Sequence, residues 1–460
     1  MRNARPIRSP DHRFSLPLTL LAVLLGLLWL AGGASRGDAT GQVIVRAGAW
    51  MVIAVAIFAG PRPALGGIRP VLILLVATIA LPIIQLIPLP PAWWQALPGR
   101  DILLLPGEPP SFRPWTMTPA ATRNALASLV VPAATLLLLA QADETARGWL
   151  PSILLAMIGS AVLLGLLQFS GARFDNPLLN DVPGQVSSIF ANRNHFALLL
   201  AIGCLLAPVW AFSTRDAPGW RAPVAGGLIL LFVLTILATG SRSGMLLGAI
   251  ALVIAPILIG HHLRRRLKHA PAWVLPAVLC LGLITIGGFV WLSFAADRAE
   301  SIDRLIHLET NEDMRARALP SVLTMIRAYF PFGSGFGGFD PVFRIHEPLA
   351  LLKFTYFNQA HNDFLGIALD GGLLALAVLG AAIGWWLIAT VRMWRMPASK
   401  TITFARLGSA TLFLILVASA TDYPARTPII MALATIAAVW LARGSAAKPH
   451  AALPTGVRDL

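Results

Sequence analysis

The stretch FANRNHFALLLAIGCLLAPVWAFS, residues 190–213, decides the fold class of this chain. Its polar start leads into an apolar run, and about 20 helical residues are enough to cross the hydrocarbon of a bilayer. Eleven more apolar runs occupy residues 14–34, 41–60, 68–90, 119–140, 148–169, 222–240, 243–262, 271–294, 363–391, 404–421 and 427–443. With 57% hydrophobic and 12% charged residues, the chain has more apolar surface than one soluble core can bury. The sequence therefore predicts an all-α, polytopic transmembrane helical bundle of about 12 spans.

Basic residues in the short loops predict the orientation of this bundle. When the N-terminus is placed in the cytoplasm, the basic runs at 264–268, 392–406 and 443–458 all fall on the inner side, as the positive-inside rule requires. Both termini are then cytoplasmic. The net charge of +15 is spread over such loops, and no basic soluble domain is left to bind nucleic acid. Membrane lipids with anionic headgroups are the expected partners of this charge.

The topology divides the chain into three regions. Residues 1–185 hold N-terminal spans and an outer segment, 91–118, whose prolines and tryptophans are typical of a cap at headgroup depth. Residues 186–391 hold the polar motifs and one outer loop, 295–362, which is too long to be a simple connection. Residues 392–460 hold the last spans and a cytoplasmic tail. We expect the middle region to carry the chemistry.

The long outer loop contains its own helix. Spacings of three and four predict an amphipathic helix over residues 312–330, with the apolar residues Leu319, Val322, Met325, Ile326, Tyr329 and Phe330. The glycine-rich stretch PFGSGFGGF, 331–339, follows it. Glycines let backbone N–H groups approach a ligand closely, so Gly335 is a candidate substrate-binding residue. A plain flexible turn is the alternative.

Three polar motifs lie on the predicted outer side. The opening stretch puts Arg193, Asn194 and His195 at a helix start, which favours anions, unless an asparagine merely caps the helix there. TGSRSG, 239–244, puts Arg242 at the membrane boundary, where a guanidinium binds either phosphate or lipid headgroups. NQAHNDF, 358–364, puts His361 where the long loop re-enters the membrane, and a histidine there exchanges protons near neutral pH. Together the motifs predict an anion-binding pocket with a base, whereas capping by Asn362 or Asp363 beside an incidental histidine is the bland alternative.

The sequence favours no metal and no cofactor. It contains no Asp-X-Asp pair, His-Glu-X-X-His, P-loop or Gly-X-Ser-X-Gly motif. Arginine side chains are then the groups expected to neutralise phosphate.

These motifs resemble the O-antigen ligase and polymerase family of bacterial envelope proteins. The similar segments are FANRNHFA at 190–197, TGSRSG at 239–244, MRARALPSVLTMIRAYFPFGSGFGGF at 314–339 and AHNDFLGIALDGGLLAL at 360–376. Their order and spacing fit across about residues 185–390, around one large outer loop.

The resemblance implies a metal-independent, inverting glycosyltransferase of the bacterial inner membrane. It would take a glycan from an undecaprenyl pyrophosphate-linked oligosaccharide at the periplasmic face and pass it to an acceptor hydroxyl. By position, Arg242 and Arg315 would bind the pyrophosphate and His361 would orient or deprotonate the acceptor. Arg193, Asn194, His195 and Asn362 would line the same pocket.

Two details of the sequence bear on residue roles and on the type of family member. Many members carry an aromatic residue after the arginine of the loop helix, whereas Ala316 follows Arg315 here, so Arg317 is a rival for that role. The segment with Arg344 and Glu347 is similar to the corresponding segment of members that polymerise exopolysaccharide. We expect these two residues either to contact sugar or to pair with each other.

The acceptor stays open among three enzyme types. A lipid A core acceptor means an O-antigen ligase, a second lipid-linked glycan means a polymerase of O-antigen or exopolysaccharide, and a protein hydroxyl means a protein O-oligosaccharyltransferase. A transporter or flippase for lipid-linked sugars is the alternative from another class, and it calls for paired ionisable residues near the bilayer midplane. Arg46 and Asp370 are the clearest intramembrane candidates, and the sequence offers neither an obvious charged partner.

Overall fold

A computed structural model gives the fold of most of the chain. It describes residues 15–172, 176–179, 185–212, 219–267, 310–352 and 357–446, with a few isolated positions between 271 and 291. The predicted span 271–294 and the first part of the long outer loop therefore lie largely outside the described residues.

The described residues form an α-helical bundle, as predicted. The helices are α1 (Leu16–Ala31), α2 (Thr40–Ala59), α3 (Arg69–Gln85), α4 (Pro91–Gln95), α5 (Pro119–Ser128), α6 (Val130–Gln141), α7 (Glu144–Phe169), α8 (Arg193–Phe212), α9 (Arg221–Ala238), α10 (Arg242–Leu267), α11 (Thr310–Tyr329), α12 (Phe339–His346), α13 (Asp363–Arg395), α14 (Lys400–Ser419) and α15 (Pro428–Ala446). Nine helical segments of the described ranges, with α5 and α6 taken together, are long and apolar enough to cross a membrane. The shorter apolar helices α1 and α3 also coincide with predicted spans.

Helix α8, the stretch quoted at the outset, forms the centre of the bundle. Of its apolar window 89% is buried, and it packs mainly against α9, α10 and α14. A helix that is apolar all round needs neighbours on every side, and α8 has them. The polar residues at its start are therefore held at one end of the most enclosed helix of the described bundle.

The outer segment 91–118 is a small folded cap. Two short strands, β1 (Pro88–Leu89) and β2 (Arg113–Pro114), pair antiparallel and close it at its base. The buried guanidinium of Arg100 donates to the backbone carbonyls of Pro98, Trp115 and Gly333, each within 3.1 Å. Burial lowers the pKa of Arg100 to about 10, so the side chain stays protonated at neutral pH. Its last bond joins the cap to the glycine-rich stretch.

The glycine-rich stretch fits into a break in helix α13. Gly372 has φ 57° and ψ −145°, a conformation that only glycine adopts without strain. The break frees backbone groups that the stretch then satisfies. The amide of Leu373 donates to the Pro331 carbonyl at 2.8 Å, and the amide of Gly335 donates to the Asp370 carbonyl at 2.9 Å. We name residues 331–338 and 369–373 together the glycine clasp.

Helix α11 confirms the predicted amphipathic helix, with its buried face rotated. Ala318, Val322, Met325 and Tyr329 are buried at spacings of four, three and four, whereas Leu319 and Phe330 are exposed. The small Ala318 is buried because the helix packs closely against α13 along that line. Apolar spacing thus predicted the helix correctly, but it placed Leu319 and Phe330 on the buried face, where Ala318 lies instead.

Candidate functional site

Four separate stretches of the chain meet at one end of the bundle. They are the starts of α8, α10 and α13 and the turn 420–427 between α14 and α15. Ser241 donates to the Asn194 side chain at 2.7 Å, and Asn362 donates to the Ala420 carbonyl at 2.8 Å. Side-chain hydrogen bonds therefore tie these stretches together at the same end.

Asp422 is the centre of this cluster. Its buried carboxylate accepts hydrogen bonds from the side-chain amides of Asn192 at 2.9 Å and Asn194 at 2.6 Å. Its other oxygen accepts the backbone amide of Tyr423 at 3.0 Å. Burial alone would raise the pKa of Asp422, but the facing His361 and the positive charge around it lower the pKa well below its usual range. Asp422 is therefore an ionised carboxylate at physiological pH.

His361 faces this carboxylate. Its Nδ1 lies 3.4 Å from Oδ1 of Asp422, an ion-pair distance at which the proton is favoured on Nδ1. The ring is held between the rings of Phe357 and Tyr423, each with its centroid 5.0 Å away. The residue has φ 48°, a left-handed conformation that few residues other than glycine adopt. Proton placement on Nδ1 leaves Nε2 as the basic nitrogen of the ring.

Arg315 supplies a cation next to the same carboxylate. Its guanidinium donates to the Thr421 carbonyl at 3.0 Å and lies 3.9 Å from Asp422, while its side chain is still 34% exposed. Arg317 instead donates to the carbonyl of Ala350 at 3.0 Å. Of the two rival arginines, the structure therefore brings Arg315 to the cluster and directs Arg317 to the loop.

The other residues singled out in the sequence fall into two groups. Arg193 and Arg242 are partly buried first residues of α8 and α10, beside Asn194 and Ser241 of the cluster. Asn362 caps α13 through the Leu365 amide, so the capping role and the site role coexist. His195 is buried behind Asp422, with Nδ1 3.0 Å from the Thr427 hydroxyl.

Two candidates lie away from the cluster. The Gly335 amide is bonded within the glycine clasp, and a Cβ added there would lie 1.8 Å from the Thr116 hydroxyl. This glycine serves close packing, and its amide is not directed at a ligand. Arg344 forms an ion pair with Asp340 one turn earlier in α12.

The turn 420–427 contributes the residues that sequence analysis missed. Besides Asp422, it carries Arg426, whose guanidinium lies 3.6 Å from Asp363 and 3.2 Å from Asp370. Burial lowers the pKa of Arg426, but the two carboxylates outweigh burial and raise it. Asp370 therefore has the charged partner that the sequence did not reveal. The signal was present, because two charged residues in a short turn between the last two spans are costly at a membrane.

The fold and this cluster define a polytopic helical membrane protein with a carboxylate-paired histidine and an arginine at one end of its bundle. Residues 227–380, about a third of the chain, match the family model described as O-antigen ligase. The match lies inside the predicted region 186–391 and contains Arg242, Arg315 and His361. No curated protein matches the chain. The family indicates a membrane glycosyltransferase of the ligase or polymerase type.

Proposed function

We propose that the protein transfers a glycan from undecaprenyl pyrophosphate to an acceptor hydroxyl at the periplasmic face of the bacterial inner membrane. The observation that carries this proposal is the cluster of His361, Asp422 and Arg315, which combines a positioned base with a cation. His361 and Arg315 lie inside the region that matches the O-antigen ligase family model, and Asp422 lies beyond it. The basic loops at the other end of the bundle support the orientation.

The chemistry follows from the roles of these groups. Nε2 of His361 accepts the proton of the acceptor hydroxyl as its oxygen attacks the anomeric carbon, and Asp422 stabilises the imidazolium that forms. The bond from that carbon to the pyrophosphate breaks, and Arg315 with Arg242 opposes the charge that develops on the leaving group. Attack opposite the leaving group inverts the anomeric configuration. None of these steps calls on a metal ion.

Three acceptors are consistent with this chemistry. Lipid A core, a second lipid-linked glycan and a protein hydroxyl each offer a nucleophilic oxygen, and we place glycan acceptors first because the family is described as O-antigen ligase. A flippase is less well supported. Asp370 is paired with Arg426 within two turns of the start of α13, rather than with a partner at the bilayer midplane.

A reconstituted reaction tests this proposal. Purified protein is mixed with undecaprenyl pyrophosphate-linked oligosaccharide and, in separate reactions, with lipid A core, a second lipid-linked unit or a peptide. The product that forms identifies the acceptor. No transfer to any of the three would overturn the proposal.

Site variants in the same assay test the assigned residues. We expect Arg242→Ala and His361→Ala to abolish transfer without changing protein abundance. Arg315→Ala should lower transfer at least tenfold more than Arg317→Ala, because only Arg315 lies beside Asp422. The exposed Arg62→Ala, at the opposite end, is the control and should keep wild-type activity. Full activity of His361→Ala would contradict the site.

A further inference from the structure

A second polar space lies next to the His361 cluster. It is a cavity of about 500 Å³, within the range of about 300 to 1,000 Å³ usual for small-molecule sites. Its walls come from residues 35–46, the outer part of α3 and α5, the first turns of α13, residues 336–340, 358–359 and the turn 425–426. We name it the α2–α13 cavity.

Most of the charged side chains of this cavity are paired, and Asp340 of its wall pairs with Arg344 in α12. Arg426 lies between the carboxylates of Asp363 and Asp370. Arg36 pairs with Asp38, which leaves Arg46 as the remaining arginine of the wall. An arginine held between two carboxylates offers less to a phosphate than Arg315 does, because Arg315 lies 3.9 Å from a single carboxylate and its side chain is 34% exposed. The cavity is therefore less suited to the pyrophosphate than the Arg315 side is.

The rest of the polar wall consists of amides and hydroxyls. Arg46 donates to the side-chain oxygens of Asn124 at 2.6 Å and Gln42 at 3.2 Å, which fixes both amides. Asn358, Gln359, Thr78 and Ser128 also line the space. Amides and hydroxyls supply donors and acceptors side by side, and a sugar hydroxyl both donates and accepts. This wall suits a neutral, hydroxyl-rich ligand.

The cavity and the base share structural elements. Asp363 lines the cavity two residues after His361. Asn358, also in the wall, is hydrogen-bonded to the side chain of Tyr423, whose ring packs on His361. The cavity therefore adjoins the residues that hold the His361 ring.

From these observations we propose that the α2–α13 cavity binds a neutral sugar unit and positions it for transfer at His361. The proposal rests on the proposed function for the role of that sugar. The sugar comes from the donor or from the acceptor, and both present the same chemistry to the wall. The Arg315 side would then hold the pyrophosphate and the cavity would hold the glycan.

Filling the cavity tests this proposal. Ser128→Phe places a ring in the cavity, and Ser160→Phe is its matched control. Both serines are partly buried in membrane helices and both donate to the carbonyl three residues earlier, but only Ser128 lines the cavity. Gln359→Leu removes a wall amide without added bulk, and serves if Ser128→Phe folds poorly.

Two measurements read out the result. The first is binding of the phosphate-free oligosaccharides released from the donor and from the glycan acceptor, followed by tryptophan fluorescence. We expect Ser128→Phe to weaken binding of at least one of them tenfold or more, Gln359→Leu to weaken it at least threefold, and Ser160→Phe to bind as the wild type does. Inorganic pyrophosphate should bind all four proteins equally.

The second measurement is transfer as a function of donor and of acceptor concentration. A tenfold higher KM for the acceptor in Ser128→Phe assigns the cavity to the acceptor sugar, and a higher KM for the donor assigns it to the donor sugar. Unchanged values of both KM, or a wild-type protein that binds neither oligosaccharide, would overturn the proposal. If the wild type binds an oligosaccharide, Ser128→Phe weakens that binding and the wild type transfers no glycan, the cavity proposal stands and the proposed function is wrong.

Discussion

At the scale of single residues, the proposed mechanism depends on Asp422. Its carboxylate accepts from two side-chain amides and one backbone amide and also faces His361. Asp422→Asn keeps the shape of the side chain but places an NH₂ group where the carboxylate accepted N–H donors. It also removes the charge that stabilises the imidazolium of His361. We expect transfer to fall by about 10² to 10⁴, because His361 then acts as a base without the carboxylate that orients its ring and stabilises its protonated form.

The matched control for this prediction is Asp143→Asn. Asp143 caps α7 by accepting the Ala146 amide, at the end of the bundle away from the cluster. Asparagine is as good a cap as aspartate, so activity should be unchanged. An Asp422→Asn variant as active as this control would remove Asp422 from the mechanism.

The lowered pKa of Asp422 also predicts how stability depends on pH. A carboxyl group whose pKa is lower in the folded state contributes stability that is present above its unfolded pKa of about 4 and is lost as pH falls toward the folded pKa. The difference in unfolding free energy between wild type and Asp422→Asn should therefore be present near neutral pH and shrink below pH 4. Denaturant titration in micelles measures it, and a difference that grows on acidification would contradict the assigned ionisation.

At the scale of elements, the break in α13 makes the glycine clasp possible. A Cβ on Gly372 would lie 2.1 Å from the Pro331 carbonyl oxygen. That oxygen belongs to the backbone, so it cannot rotate away as a side chain could. Gly372→Ala should therefore lower the free energy of unfolding by at least about 2 kcal/mol. Gly380→Ala lies in the same helix with nothing within 4 Å of the added carbon, and should stabilise by up to about 1 kcal/mol. Thermal unfolding in detergent measures both, and equal effects would mean that the clasp is not rigid.

Elements also show what the sequence could and could not predict. Apolar runs locate the membrane helices because lipid forces each span to satisfy its own backbone hydrogen bonds. Helix α11 was located by apolar residues at spacings of three and four, because one face of a helix that packs on the protein is apolar. The role of Gly335 was not predictable, since its packing depends on Thr116 and Asp370, which are distant in the chain. The charges of Asp422 and Arg426 in a short turn between two spans were visible in the sequence. The partners of Asp422 were not predictable, because Asn192 and Asn194 lie about 230 residues earlier in the chain.

At the scale of the whole molecule, the functional argument depends on which side of the membrane the cluster faces. The cap, the cluster and the α2–α13 cavity share one end of the bundle, while Arg264–Arg266, Arg392 and Lys400 lie at the ends of helices that lead away from it. The positive-inside rule predicts that the cluster faces the periplasm, where we propose that lipid-linked glycans are transferred.

Cysteine labelling in intact cells tests this orientation. In a background with Cys204 and Cys280 replaced by serine, Ser111→Cys adds a thiol to the exposed part of the cap and Ala398→Cys adds one to the exposed turn between α13 and α14. A membrane-impermeant maleimide should label Ser111→Cys in cells with a permeabilised outer membrane, and Ala398→Cys only after lysis. The reverse pattern would put His361 and Arg315 in the cytoplasm, where the proposed periplasmic transfer could not take place.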